Sequence, residues 1–257
     1  MKIIKILFLL LLIATPIFAA KPKNGEDLIA QMQKKYANKW YKTLTFVQKT
    51  TFFKPDGTSE ISTWYEALSA PGKLRIDIAP LEKGDGILFL DGMLHSIRGG
   101  KSARSQPFVH PLLVLGFDVY CQPAEKTISQ LKELKIDLSI LREDVWQGKP
   151  VYVVGAKQGD LRSIQFWVEK KSLLFVRMLE SVGKDKASVQ EIQFNKYQKI
   201  KSGGWVSPEV IVMVDGKPTQ TEEYTDIQTN VTLDSKLFET GSWMTVDKNY
   251  YQKKVNK

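Results

Sequence analysis

The sequence predicts a mainly β fold of the α+β kind: a single, strongly curved antiparallel sheet forming an unclosed barrel, covered by helices. Three observations predict it. About eleven short stretches read as strands separated by close turns. Helical spacing of apolar residues is confined to two places. The strands are apolar mostly on one face, and such a face needs a second layer or a cover. The composition agrees. At 257 residues, 43% hydrophobic and 25% charged, the chain is ordinary globular material with a core large enough to need no staples. No linker and no repeat of fixed period divides it.

The first segment reads as an address. Met1-Lys2-Ile3-Ile4-Lys5 is a basic start, residues 6–14 are an unbroken apolar run, and Pro16 ends it. Ile17-Phe18-Ala19-Ala20 then offers small residues for cleavage near Ala19 or Ala20. The run is shorter than the roughly 20 residues of a membrane span. The expected organisation is a signal peptide at 1–20, one domain at 21–240 and a C-terminal tail at 241–257.

Asn24 is placed to cap a helix over about 26–38, with Leu28, Ile29, Met32 and Tyr36 on one face. The period then changes to two. Leu44, Phe46, Gln48, Thr50 and Phe52 alternate with Thr43, Thr45, Val47, Lys49 and Thr51. Pro55-Asp56-Gly57-Thr58 is a turn, 61–68 a returning strand, and Ala70-Pro71-Gly72 a second break. Residues 73–78 alternate cleanly, with Leu74, Ile76 and Ile78 on one face. Asp91-Gly92 joins 87–90 to 93–97 as a two-residue hairpin. Residues 107–121, PFVHPLLVLGFDVYC, are apolar without alternation. Pro123 begins a second helix with Ile128, Leu131 and Leu134 inward. Strands resume at 138–146, 151–156, 163–169, 173–180, 188–200, 205–214 and 219–229. The two helices and residues 107–121 are the available cover, over an interior that sequence leaves open as packed or hollow.

Chemistry-bearing patterns are sparse. Cys121 is the single cysteine, so no intrachain disulfide forms. The two histidines, His95 and His110, lack triad or zinc context, and no G-x-S-x-G or H-E-x-x-H occurs. Gly99-Gly100-Lys101-Ser102 lacks the upstream glycine of a phosphate loop. Glu143-Asp144 and Glu222-Glu223 are sequence neighbours, so in strands they face opposite sides. A hydrolase would have to use His110 with Cys121. The expectation is a protein that is not an enzyme and uses no metal or cofactor. The formal net charge is +9. Its lysines (Lys170-Lys171, Lys184, Lys186, Lys196, Lys199, Lys201) are dispersed beside turns, which reads as a solvated surface and not a nucleic-acid site. Trp40, Trp64, Trp146, Trp167 and Trp205 fall on or beside strands with Phe46, Phe89, Phe166 and Phe175. Singly these are core residues; with an apolar cover they fit a binder of apolar ligands.

Several stretches, in order, resemble the LolA-like periplasmic lipoprotein carriers that sort outer-membrane lipoproteins. They are the N-terminal helix followed by the strand at 44–53, and Ala70-Pro71-Gly72-Lys73-Leu74-Arg75-Ile76-Asp77. The hairpin around Asp91-Gly92 follows, then Phe166-Trp167-Val168-Glu169-Lys170 continuing to Arg177-Met178-Leu179-Glu180. The closing stretch runs from Asn230-Val231-Thr232-Leu233-Asp234 to Phe238. The resemblance spans about residues 26–238.

The resemblance implies a non-enzymatic periplasmic carrier or chaperone that holds lipoprotein acyl chains or lipids in an apolar cavity and moves them towards the outer membrane. It implies membrane-associated donor and acceptor proteins, no nucleic acid, and a monomer. Leu44, Phe46, Leu74, Ile76 and Phe89 would line the wall. Phe108, Leu112, Leu115 and Phe117 would form a movable lid. Many sorting carriers have an Arg before the third-strand Pro that holds the closed state; Ala70 stands here, so that device does not transfer. Arg75 alternates away from Leu74 and Ile76 and receives no cavity role. The alternative is an envelope sensor or scaffold of the same fold that binds a protein partner.

Overall fold

The computed structural model describes residues 21–252, so the expected signal peptide lies outside the described residues. The chain enters through α1 (Gly25–Tyr36). A first meander follows: β1 (Thr43–Phe53), β2 (Ser59–Ser69), β3 (Lys73–Ile78), β4 (Gly86–Leu90), β5 (Met93–Arg98) and β6 (Lys101–Pro107). Two helices come next, α2 (Pro111–Gly116) and α3 (Ala124–Glu133). The second meander is β7 (Leu141–Trp146), β8 (Lys149–Val154), β9 (Gln165–Glu169), β10 (Phe175–Val182) and β11 (Ser188–Asn195). A small separate hairpin, β12 (Gln198–Lys199) and β13 (Trp205–Val206), precedes β14 (Glu209–Val214) and β15 (Lys217–Thr229).

Among the described residues, thirteen strands make one antiparallel sheet in the order β6-β5-β4-β3-β2-β1-β15-β14-β11-β10-β9-β8-β7. It is not closed. Its free edges are β6 and β7, which are consecutive in the chain. Residues 108–140 must therefore cross from one edge to the other, and they do so over the concave side. Leu74 and Phe89 of the first meander share one apolar core with Tyr152 and Phe166 of the second, so the sheet curls around that core.

Local chemistry sets the elements. The Asn24 side chain accepts from the Asp27 N–H at 2.8 Å and caps α1. Leu28, Ile29, Met32 and Tyr36 are its buried face. Asp91 and Gly92 have φ of 47° and 87°, the left-handed pair of a type I′ hairpin turn. β6 was not anticipated from sequence. Its residues, KSARSQP, are nearly all exposed, because an edge strand in this position buries neither face and carries no alternation.

The convex side has its own cover. Residues expected as a tail from 241 lie, through 252, against β2–β5. Trp243 is fully buried there with Leu237, Phe238 and Val246 over Ala67, Leu88 and Ile97. Arg75 points to this side and is also fully buried. It forks onto Asp77, donates to the carbonyls of Leu237 (2.9 Å) and Trp243 (3.0 Å), and lies 3.7 Å above the Trp243 ring.

Candidate functional site: a lidded cleft on the concave face

The crossing segment is pinned through Tyr120 and Asp118. Tyr120 stacks on Trp40 at 4.0 Å between ring centres, and its hydroxyl accepts from the Phe175 N–H at 2.8 Å. The Asp118 carboxylate accepts from the Gly72 N–H with both oxygens at 3.1 Å, tying the lid to the β2–β3 turn. Upstream, α2 buries Leu113, Val114 and Leu115 but leaves Leu112 and Phe117 half-buried. His110 caps α2 by accepting from the Leu112 N–H at 3.2 Å.

Under α2 lies a cleft of about 90 Å³. Phe46, Leu68, Leu74 and Ile76 form its sheet wall, and Leu112, Leu113 and Phe117 its lid. Its floor is polar: Gln48, Glu66, Glu222 and Tyr224 reach it from β1, β2 and β15. The Tyr224 hydroxyl and Gln220 amide both donate to Glu222, at 2.8 and 2.7 Å. Burial raises the pKa of both carboxyls: Glu66 is pushed well above the ordinary range, by burial first and the charge of Glu222 second, while Glu222 is raised by burial against the lowering effect of its Tyr224 and Gln220 donors. Burial thus favours the neutral acid at Glu66, beside a Glu222 carboxyl that accepts two hydrogen bonds.

The structure brings five of the nine sequence-chosen residues to this cleft: Phe46, Leu74, Ile76, Leu112 and Phe117. Leu74 and Ile76 do point inward. Leu44 and Leu115 are fully buried in the core behind it. Phe89 and Phe108 lie beside His110 at 4.5 and 5.9 Å, framing the start of the lid. Sequence reasoning missed Glu66 and Glu222. The signal was present, since Glu66 falls between Trp64 and Leu68 at the two-residue spacing of an inward face.

His110 and Cys121 have other duties. Burial pushes the His110 imidazole down to about 4 and the Cys121 thiol up to about 12. The Cys121 sulfhydryl faces the carbonyls of Asp118 and Phe117, at 3.6 and 3.9 Å. A thiol held protonated is a poor nucleophile. Among the described residues no group of His, Cys, Asp and Glu is placed to hold a metal.

Asp118 links the lid to pH. Burial pushes its carboxyl up to about 7, against the lowering effect of the Gly72 N–H. A raised folded pKa makes the folded state the tighter proton binder. Its stabilisation is complete below about pH 4, the unfolded value, and is lost as pH rises through about 7. Asp118→Asn keeps an acceptor for Gly72 without the charge. Its thermal midpoint should therefore fall less than that of the unmodified protein between pH 5 and pH 8; equal falls would show that Asp118 does not titrate there.

No family model matches the chain, and no curated protein matches it. Solved structures do. A DUF1329 family protein from Desulfovibrio piger superposes with a TM-score of 0.58 at 15% identity, over 85% of this chain and 97% of that one. An outer membrane lipoprotein-sorting protein domain from Vibrio parahaemolyticus gives 0.54 at 12% identity, over 86% and 98%. A LolA superfamily protein from Nitrosomonas europaea gives 0.51 at 13% identity, over 82% and 96%. At these identities the likeness is one of fold.

Proposed function

We propose, from the premise that this chain has the LolA-like fold, that it is a non-enzymatic periplasmic carrier which takes acyl chains of a lipoprotein or lipid beneath α2 and moves them towards the outer membrane. The observation that supports this best is the seating of the lid. Leu112 and Phe117 close an apolar cleft yet stay half-buried themselves, and α2 carries no acidic or basic residue in its end turns. Closed, the cleft of about 90 Å³ is below the roughly 300–1,000 Å³ of ligand pockets. Loading therefore requires α2 to lift about its fixed end at Tyr120. Each acyl CH₂ buried in the opened cleft contributes about 0.8 kcal/mol. A neutral Glu66 would donate a hydrogen bond to the ester or amide carbonyl at the head of the chain, a role a carboxylate cannot take. No described helix is long and apolar enough to cross a membrane.

The test is uptake of a fluorescent acylated peptide. The unmodified protein should bind saturably, and Leu112→Glu should bind at least ten times more weakly, since a charge on the lid must be desolvated to close over the chain. Because Leu112 is half-buried, the variant should keep its fold by circular dichroism. Uptake unaffected by Leu112→Glu, or no uptake by the unmodified protein, would turn the reading towards a partner-binding scaffold.

A further inference from the structure

A larger pocket, of about 860 Å³, opens outside the concave cleft. It lies where the end of α1, the β7–β8 and β9–β10 turns, and the β12–β13 hairpin meet. Its volume is within the range of ligand sites. Phe194 lines both it and the cleft.

Six lysines far apart in sequence converge on it: Lys35, Lys39, Lys149, Lys171, Lys196 and Lys199. Of these six, Lys196 alone makes an ion pair among the described residues, with Glu209. One acid, Glu169, lines the pocket, and it accepts from the Ser172 hydroxyl at 2.7 Å. The ammonium of Lys35 is held inward, donating to the Lys171 carbonyl at 2.5 Å. Six lysines against one carboxylate leave the recess net positive, which concentrates anions. Its other wall is flat and apolar. Trp146, Tyr197 and Trp205 are half-buried along it, with Leu174 and Val151 buried behind. The Tyr36 and Tyr197 hydroxyls are already engaged, donating to the carbonyls of Ser172 and Phe175 at 2.6 Å. The rings therefore offer apolar surface, and the lysines offer charge.

We infer that this pocket binds a phospholipid of net negative charge, with the anionic head among the lysines and the first part of the apolar body on Trp146, Tyr197 and Trp205. Phosphate alone would leave the aromatic wall wet, and an uncharged amphiphile would leave the lysines unmatched. The site is separate from the cleft under α2 and does not depend on what that cleft carries.

Trp146 and Trp205 make the test optical. Soluble dihexanoyl phosphatidylglycerol should shift tryptophan emission saturably, and the phosphatidylcholine analogue should bind at least ten times more weakly. The Lys39→Glu/Lys171→Glu/Lys199→Glu triple variant should lose at least tenfold in affinity, and added salt should weaken the unmodified protein. These three positions are exposed, so the variant should fold, as circular dichroism will show. Leu112→Glu should bind the short-chain lipid as the unmodified protein does, which separates failure here from failure of the carrier reading. Competition by inorganic phosphate, with vesicles of the same headgroup left unbound, would identify a free lipid as the source; flotation with phosphatidylglycerol vesicles, lost in the triple variant, would identify a membrane surface. Equal binding of the two headgroups, or a triple variant that binds like the unmodified protein, overturns the inference.

Discussion

Arg75→Ala should destabilise the protein by about 3–5 kcal/mol, the range for removing one partner of a buried ion pair. For a chain of this size that is a fall of roughly 6–20 °C in Tm. The cause is what remains behind. Asp77 is 1% exposed and would keep only the Tyr250 hydroxyl at 2.7 Å and the Lys248 ammonium at 3.3 Å. The carbonyls of Leu237 and Trp243 would lose their donor, and the indole of Trp243 would lose the guanidinium stacked on it. The segment that covers the convex face is thus held through a side chain of β3. Arg75→Met combined with Asp77→Leu should recover part of the loss, because no unpaired Asp77 carboxylate is left and the space is refilled, while the Leu237 and Trp243 carbonyls still lack their donor. A thermal melt of Arg75→Ala within about 1 kcal/mol of the unmodified protein would show that the convex cover does not depend on this network.

Glu66→Gln should stabilise the protein at neutral pH by about 1–3 kcal/mol, the scale of relieving a buried polar group. Glu66 is 4% exposed, its folded pKa is raised first by burial and then by Glu222, and Gln is a permanent copy of its neutral form. The raised folded value means that its stabilisation is complete below about pH 4, the unfolded pKa, and drains away as pH rises through the folded value. Denaturant midpoints should coincide for the two proteins near pH 4 and separate as pH rises, with Glu66→Gln the more stable. Parallel curves across that interval would mean that the Glu66 carboxyl reaches water. Gln offers an N–H in place of the acid O–H, so acyl-peptide uptake should be nearly unchanged in this variant; a large loss would count against the donor role.

Much of the fold was legible because its signals are local. Asn24 and the spacing of Leu28, Ile29, Met32 and Tyr36 specify α1 within two residues of where it lies. Asp91-Gly92 specifies a hairpin because few other pairs tolerate two left-handed residues in succession. What was missed depends on strand neighbours. Glu66 and Glu222 lie on β2 and β15, on either side of β1, and only the order β2-β1-β15 makes them a pair. The lysines read as dispersed, and along the chain they are. The curl of the second meander and the β12–β13 hairpin gather Lys35, Lys149 and Lys199 to one rim. Trp243 lies beyond the last recognised stretch, and nothing in its neighbours announces that it packs against Arg75 from 168 residues away.

A sheet that stays unclosed keeps two rows of unpaired backbone groups, and each is a template for fibrous self-assembly. Here both rows are defended. β6 presents Lys101 and Arg104 and ends on Pro107; β7 carries Arg142, Glu143 and Asp144 in succession. A sheet that stays open cannot remove these rows by zipping itself into a cylinder, so charge is its remaining defence. The charges that erased the strand signature of β6 are the ones that blunt the free edge of an unfinished barrel.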